Sequence, residues 1–245
     1  MARHSDKKPD LPKRLNLQRE LFFHTPIFFK DLPNGKELNK HLLKHIKKWK
    51  KDDQKGIVRS NSLGWHSAVD MHHRKEYHPL TKELFKMQAE IYQAEGYHPN
   101  TEAICDNMWA NINYKYSHNK NHVHPGAQWS GVYYIQTPKD CGKIWFTDPC
   151  GQRHIDVAIM DPNKTKPSHY WREVHYQPIE GRIIMFPGWL THEVAQNVCN
   201  FKGEKGWRIS VSFNFKQRWK PGMIVRRNDG HDNKGEVDIN LNSII

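Results

Sequence analysis

From Leu38 the apolar positions Leu38, Leu42, Ile46 and Trp49 recur at spacings of 4, 4 and 3, with Lys40, Lys44, Lys47 and Lys48 largely on the opposite faces. That 3.6-residue period predicts an amphipathic helix over residues 36–51. A second stripe, Leu80, Leu84, Met87, Ile91 and Ala94, follows Pro79 and stops at Gly96, which predicts a helix over 80–95. After His98-Pro99 the period shortens to two. Short β-rich runs follow, at Met108–Tyr114, Ser130–Gln136, Ile144–Thr147, His154–Met160, Glu173–Gln177, Arg182–Phe186, His192–Gln196 and Trp207–Phe215. Helices first and strands afterwards predict an α+β chain, mainly β, with the helices packed outside a barrel or sandwich of about residues 105–216. Residues 1–18 are charged and without periodicity, and read as a flexible basic arm. Residues 19–220 read as one domain and 221–245 as a polar tail, with Asn228-Asp229-Gly230 a turn inside it.

Composition narrows the class. Mean hydropathy is low at -0.88, yet 9 Trp, 9 Tyr and 10 Phe in 245 residues supply a real core and exclude wholesale disorder. No apolar run approaches the roughly 18 residues of a membrane helix, and the polar start lacks a secretory leader, so a cytoplasmic protein without a membrane partner is expected. The four cysteines, Cys105, Cys141, Cys150 and Cys199, form no C-x-x-C pair and read as reduced thiols. Of the net charge of +12, +9 falls in residues 1–60, where 16 basic residues face 7 acidic ones. Such an arm can bind nucleic acid, although a solvated tail and a lysine-rich helix face explain it as well.

The 17 histidines change the picture more, because imidazole is the commonest transition-metal ligand. His122 and His124 stand two apart just before a strand-like run, which on a strand puts both rings on one face. His192, after the hydrophobic run ending Phe186-Pro187 and a Gly188-Trp189 turn, is the best third ligand from a distant strand. The spacing leaves Fe, Zn, Cu and Ni open, and it also leaves open three ordinary histidines in a His-rich chain. In Arg208-Ile-Ser210-Val-Ser212-Phe213 polar and apolar residues alternate, so one strand face carries a buried Arg. Burying it requires an anion, either a ligand carboxylate or an acid of the protein.

The ordered set His122-x-His124-Pro125, Ser130-Gly-Val-Tyr-Tyr134, Phe186-Pro-x-Trp189-Leu-x-His192 and Arg208-x-Ser210-x-Ser-Phe-Asn214 resembles the 2-oxoglutarate–Fe(II) oxygenases of bacteria and tailed phages, distant relatives of the prolyl hydroxylases. Leu21-Phe-x-x-x-Pro26 and Gly64-Trp65-x-Ser67 extend the likeness to residues 21–215. The resemblance implies a double-stranded β-helix, a jelly-roll barrel open at one end. It implies Fe(II) on His122 and His192, 2-oxoglutarate on Arg208 and Ser210 with Tyr134 on the same carboxylate, and O2 as the other cosubstrate. It also implies hydroxylation of a C–H bond with release of succinate and CO2, with no catalytic residues beyond the metal and cosubstrate ligands.

The family's usual His-x-Asp/Glu has His124 in the carboxylate position. His124 as third ligand, water, and a carboxylate from another strand such as Asp148 all remain open. The substrate is not legible; a protein residue or a small metabolite is favoured over nucleic acid, because the basic charge lies far in sequence from His122 and His192. Two rival readings are a cupin-like metal protein that does not use 2-oxoglutarate and a non-catalytic nucleic-acid or virion-binding module. A homodimer is left open.

Overall fold

A computed structural model describes residues 23–155 and 158–222. The described residues from Pro26 to Gly222 form one compact unit. The expected arm, and all of the expected tail except Pro221 and Gly222, lie outside the described residues. Along the unit run β1 (Phe28–Asp31), α1 (Gly35–Asp52), β2 (Asn61–Ser62), β3 (Trp65–His66), α2 (His78–Ala94), β4 (Thr101–Asn113), β5 (His118–His122), β6 (Trp129–Gln136), β7 (Ile144–Thr147), β8 (Glu173–Tyr176), β9 (Arg182–Pro187), β10 (His192–Val194) and β11 (Arg208–Trp219).

The strands form two antiparallel sheets. The larger has the order β1-β9-β6-β11-β4-β3, and the smaller has the order β2-β5-β10-β7-β8. Alternation along the larger sheet separates its two faces. Met108, Ala110 and Ile112 of β4, Tyr133 and Ile135 of β6, and Ile209, Val211 and Phe213 of β11 join one apolar core with Leu42, Ile46, Leu80, Leu84 and Ile91 of the helices. The residues between them, Trp109 and Asn111, Val132 and Tyr134, Ser210 and Ser212, face the other way and line a cavity. Both helices therefore cover the outer face of the larger sheet, and α1 carries Glu37 in its first turn and Lys50 and Lys51 in its last, matching its dipole.

Two expectations are corrected. No strand occupies His154–Met160 among its described residues; a 3-10 turn covers Gly151–His154, because Asp148 accepts from both the Cys150 N–H and the His154 ring and curls the chain locally. The polar stretch after residue 216 also continues β11 to Trp219. Pairing with Thr101–Cys105 of a longer β4 holds it there, aided by the Arg218–Glu102 and Lys216–Asp106 ion pairs.

Gly131 sits in close packing within the larger sheet. A Cβ there would stand 2.4 Å from the Phe213 ring and 2.6 Å from the Ile184 carbonyl oxygen. Since backbone cannot yield as a side-chain tip can, Gly131→Ala is expected to cost about 1–3 kcal/mol of stability, read as a lowered urea midpoint at unchanged slope. An unchanged midpoint would contradict this packing.

Candidate metal centre

His192 opens β10, directly opposite His122 at the end of β5 and Phe146 of β7. His124 is not on the strand, contrary to the geometry expected from its spacing. It lies two residues past β5, where its backbone N–H donates to the Gly188 carbonyl (2.8 Å) and its own carbonyl accepts from Ala127 N–H (3.2 Å). Those bonds tie the His-x-His segment to the Pro-Gly-Trp turn and bring His124 toward His192 by a different route. One ring nitrogen from each of His122, His124 and His192 lies within 4.8 Å of the others.

The environment prepares these rings as ligands. His192 is buried, and burial holds it near pKa 3; burial takes His124 to about 4 and also lowers His122, with the neighbouring imidazoles adding to the effect at His124 and His192. All three are therefore neutral at pH 7. His122 Nδ1–H donates to the Lys120 carbonyl (2.6 Å) and His192 Nδ1–H to the Leu190 carbonyl (2.9 Å), which leaves both Nε2 atoms as bare acceptors. His124 Nε2 stands 3.3 Å from His192 Nε2, so without a cation His124 must carry its proton there. A divalent metal among three such nitrogens would relieve that facing, and nitrogen donors of this kind suit Fe(II).

The unfolded chain binds protons at these positions near pH 6.5, while the folded state takes them up at lower pH, near 4 at His124 and near 3 at His192. Folding stability is thus full above about pH 6.5 and is lost as pH falls toward 4. The metal-free protein is expected to melt several degrees lower at pH 5 than at pH 7, and equal midpoints would contradict the burial described.

Asp148 is not in the cluster. Its carboxylate accepts from the His154 ring (2.8 Å) and from Cys150 N–H (3.0 Å), and among the described residues no Asp or Glu lines the cavity that holds the three histidines.

That cavity, of about 380 Å³, is within the size range of small-ligand sites. Arg208 of β11, 2% exposed, enters it, opposite Asn113 across the β4–β11 ladder. Its Nη1 donates to the Cys141 (2.8 Å), Gly142 (3.1 Å) and Ala195 (3.4 Å) carbonyls, and no ion pair neutralises it among the described residues. Gly142 is required there: at φ +91° a Cβ would lie 2.2 Å from the Ala195 oxygen and 2.8 Å from Arg208 Nη1. A buried cation held only by carbonyls is costly until an anion joins it. Ser210 is the next inward residue on β11, and Tyr134 lines the same cavity. Burial pushes the Tyr134 phenol far up, with Arg208 opposing, so it remains a protonated donor. Tyr133 points outward and donates to Asn39 of α1 (2.6 Å). All six residues singled out from the sequence therefore meet at one cavity.

The sequence reading missed the inward face of the strand beside β11. Asn107, Trp109, Asn111 and Asn113 of β4 face inward with the same two-residue alternation that singled out Arg208 and Ser210, so the signal was present. Arg59 and His66 also line the cavity, from a stretch with no periodicity to announce them.

Residues 107–214 match a family model described as "Putative 2OG-Fe(II) oxygenase". Among solved structures, a Pseudomonas putida prolyl-4-hydroxylase is 14% identical, with 79% of this chain and 94% of that chain covered at a TM-score of 0.52. A Trichoplax adhaerens prolyl hydroxylase in complex with a hypoxia inducible factor peptide fragment is 13% identical, covering 77% and 82% at 0.50. HygX from Streptomyces hygroscopicus, with nickel, 2-oxoglutarate and hygromycin B bound, is 9% identical, covering 78% and 82% at 0.52. No curated protein matches. At these identities the structural likeness establishes the fold, which is the expected double-stranded β-helix.

Proposed function

We propose, from the match of residues 107–214 to the 2OG-Fe(II) oxygenase family model, that the chain is such an oxygenase in which His122, His124 and His192 hold the iron while Arg208, Ser210 and Tyr134 hold 2-oxoglutarate. The observation that carries this reading is one cavity with three neutral imidazoles and a buried guanidinium that lacks a counter-charge. Bound there, Fe(II) with 2-oxoglutarate and O2 supplies oxidative decarboxylation to succinate and CO2 and the oxidising power for hydroxylation of a C–H bond.

The chain's own residues bind, orient and exclude water. Leu190 and Lys120 carbonyls fix the protons of His192 and His122 on Nδ1. His124 must shift its proton from Nε2 to Nδ1 when it becomes a ligand. Arg208 offers a planar fork to the distal carboxylate of the cosubstrate, with the Tyr134 and Ser210 hydroxyls as further donors. Val132, Ile144 and Phe186 give the cavity an apolar lining that keeps water out and strengthens those bonds. We place the reaction in the cytoplasm and take the substrate to be a protein residue or small metabolite.

His124 separates this reading from the alternatives for the third ligand. His124→Ala is expected to weaken iron binding at least about tenfold, His124→Asp to keep iron and succinate release, and Asp148→Ala to change neither. Iron bound by His124→Ala as tightly as by the unaltered protein would remove His124 from the ligand set.

A further inference from the structure

The polar half of the cavity is not used by the metal or cosubstrate ligands. Arg59 lines it, and among the described residues its guanidinium makes no ion pair and no carboxylate lines the cavity. Arg59 and His66 line the cavity together, and two ring contacts lead from His66 to the histidine cluster. His66 stacks on Trp109 with ring centres 5.2 Å apart and planes 11° from parallel, and Trp109 stands 6.0 Å from His124. Trp109 thus stands between His66 and His124 in the cavity that Arg59 also lines. Neutral groups line the same cavity: Asn119 Nδ2 donates to the Ser60 hydroxyl (3.3 Å), and Asn113 Nδ2 to Asn119 Oδ1 (3.5 Å).

Charge balance points the same way. With three neutral imidazoles, a divalent metal is cancelled by the cosubstrate dianion, leaving both guanidinium charges uncancelled. A carboxylate ligand would have removed one unit of that excess. A cleft with uncompensated positive charge and low-dielectric walls focuses its field and draws in anions.

We propose that Arg59 anchors a second anion site, which takes a carboxylate or phosphate on the substrate to be oxidised, with the body of that substrate lying along Trp109 toward the histidine cluster. This rests on the oxygenase reading for which carbon is oxidised, but not for the binding of the anion. Arg59 supplies a planar fork suited to either oxyanion.

The test is a calorimetric titration of the metal-free protein with inorganic phosphate and, separately, with acetate. It is repeated in Arg59→Ala and Arg59→Lys, and 2-oxoglutarate affinity is measured on each Mn(II)-loaded form. At least one anion is expected to bind, about tenfold or more weaker in Arg59→Ala and intermediate in Arg59→Lys, with 2-oxoglutarate affinity unchanged within twofold. Which anion binds tells a phosphorylated substrate from a carboxylic one. Mn(II) bound to the His cluster should also broaden the phosphorus resonance of bound phosphate. Binding of neither anion, equal binding in Arg59→Ala, or a loss of 2-oxoglutarate affinity in Arg59→Ala as large as in an Arg208 variant would each overturn the proposal. If Mn(II) or 2-oxoglutarate fails to bind the unaltered protein, it is the oxygenase reading of the six residues that falls, while the metal-free titrations still decide the anion site.

Discussion

His192→Ala is expected to abolish iron-dependent turnover and to lower metal affinity beyond the roughly 10- to 100-fold that loss of an outer partner of a ligand costs. The size follows from position. His192 sits where β10 meets both β5 and β7, faces His122 with ring centres 4.3 Å apart, and has its tautomer set by a carbonyl two residues back. No other Asp, Glu, His or Cys among the described residues joins the cluster, so nothing can stand in for the lost nitrogen. The fold should survive, because the ring's contacts with Phe146 and Phe186 contribute packing that Ala only partly forfeits. Metal content by elemental analysis of the folded variant reads the result directly, and a full complement of iron would remove His192 from the site.

The second large effect is at Arg208. Arg208→Met keeps much of the volume while removing the charge and its donors. Hydrogen bonds to a charged partner contribute about 1.5–3 kcal/mol each, so losing a two-pronged contact with the distal carboxylate should weaken 2-oxoglutarate roughly a hundredfold or more, with metal affinity nearly unchanged. That split is the diagnostic feature, since a variant that had only disturbed the barrel would lose both. Arg208→Lys, which retains charge without the planar fork, should lie between the two. Normal 2-oxoglutarate affinity in the Met variant would mean that the cavity holds its cosubstrate elsewhere, and the cupin-like alternative would then gain.

Much of this site was legible in the chain because the chemistry is carried by alternation. Along β11 every inward residue is polar and every outward one apolar through Phe213, so Arg208 and Ser210 declared their face without a structure. The two helices were equally plain, as one 3.6-residue stripe each, and lie at Gly35–Asp52 and His78–Ala94. His124 shows the limit. A two-residue spacing was read as strand geometry, yet the ring reaches His192 from a turn tied to Gly188, a contact between segments more than sixty residues apart that no local pattern encodes. His154–Met160 misled because its apolar residues mimic a strand while Asp148, just upstream, supplies the acceptor that curls the chain. Arg59 was silent for a related reason: it enters the cavity from an irregular segment placed by pairing of β2 with β5.

The central claim is that the three histidines and Arg208 serve one metal and one cosubstrate in one cavity. The most direct test is an anaerobic titration of the metal-free protein with Fe(II) and then 2-oxoglutarate, followed by visible absorption, which needs no substrate. A weak charge-transfer band is expected that appears only when both are present, and that is lost in His192→Ala and shifted to much higher 2-oxoglutarate concentration in Arg208→Met. Iron that binds without the band, or a band that persists unchanged in both variants, would contradict it.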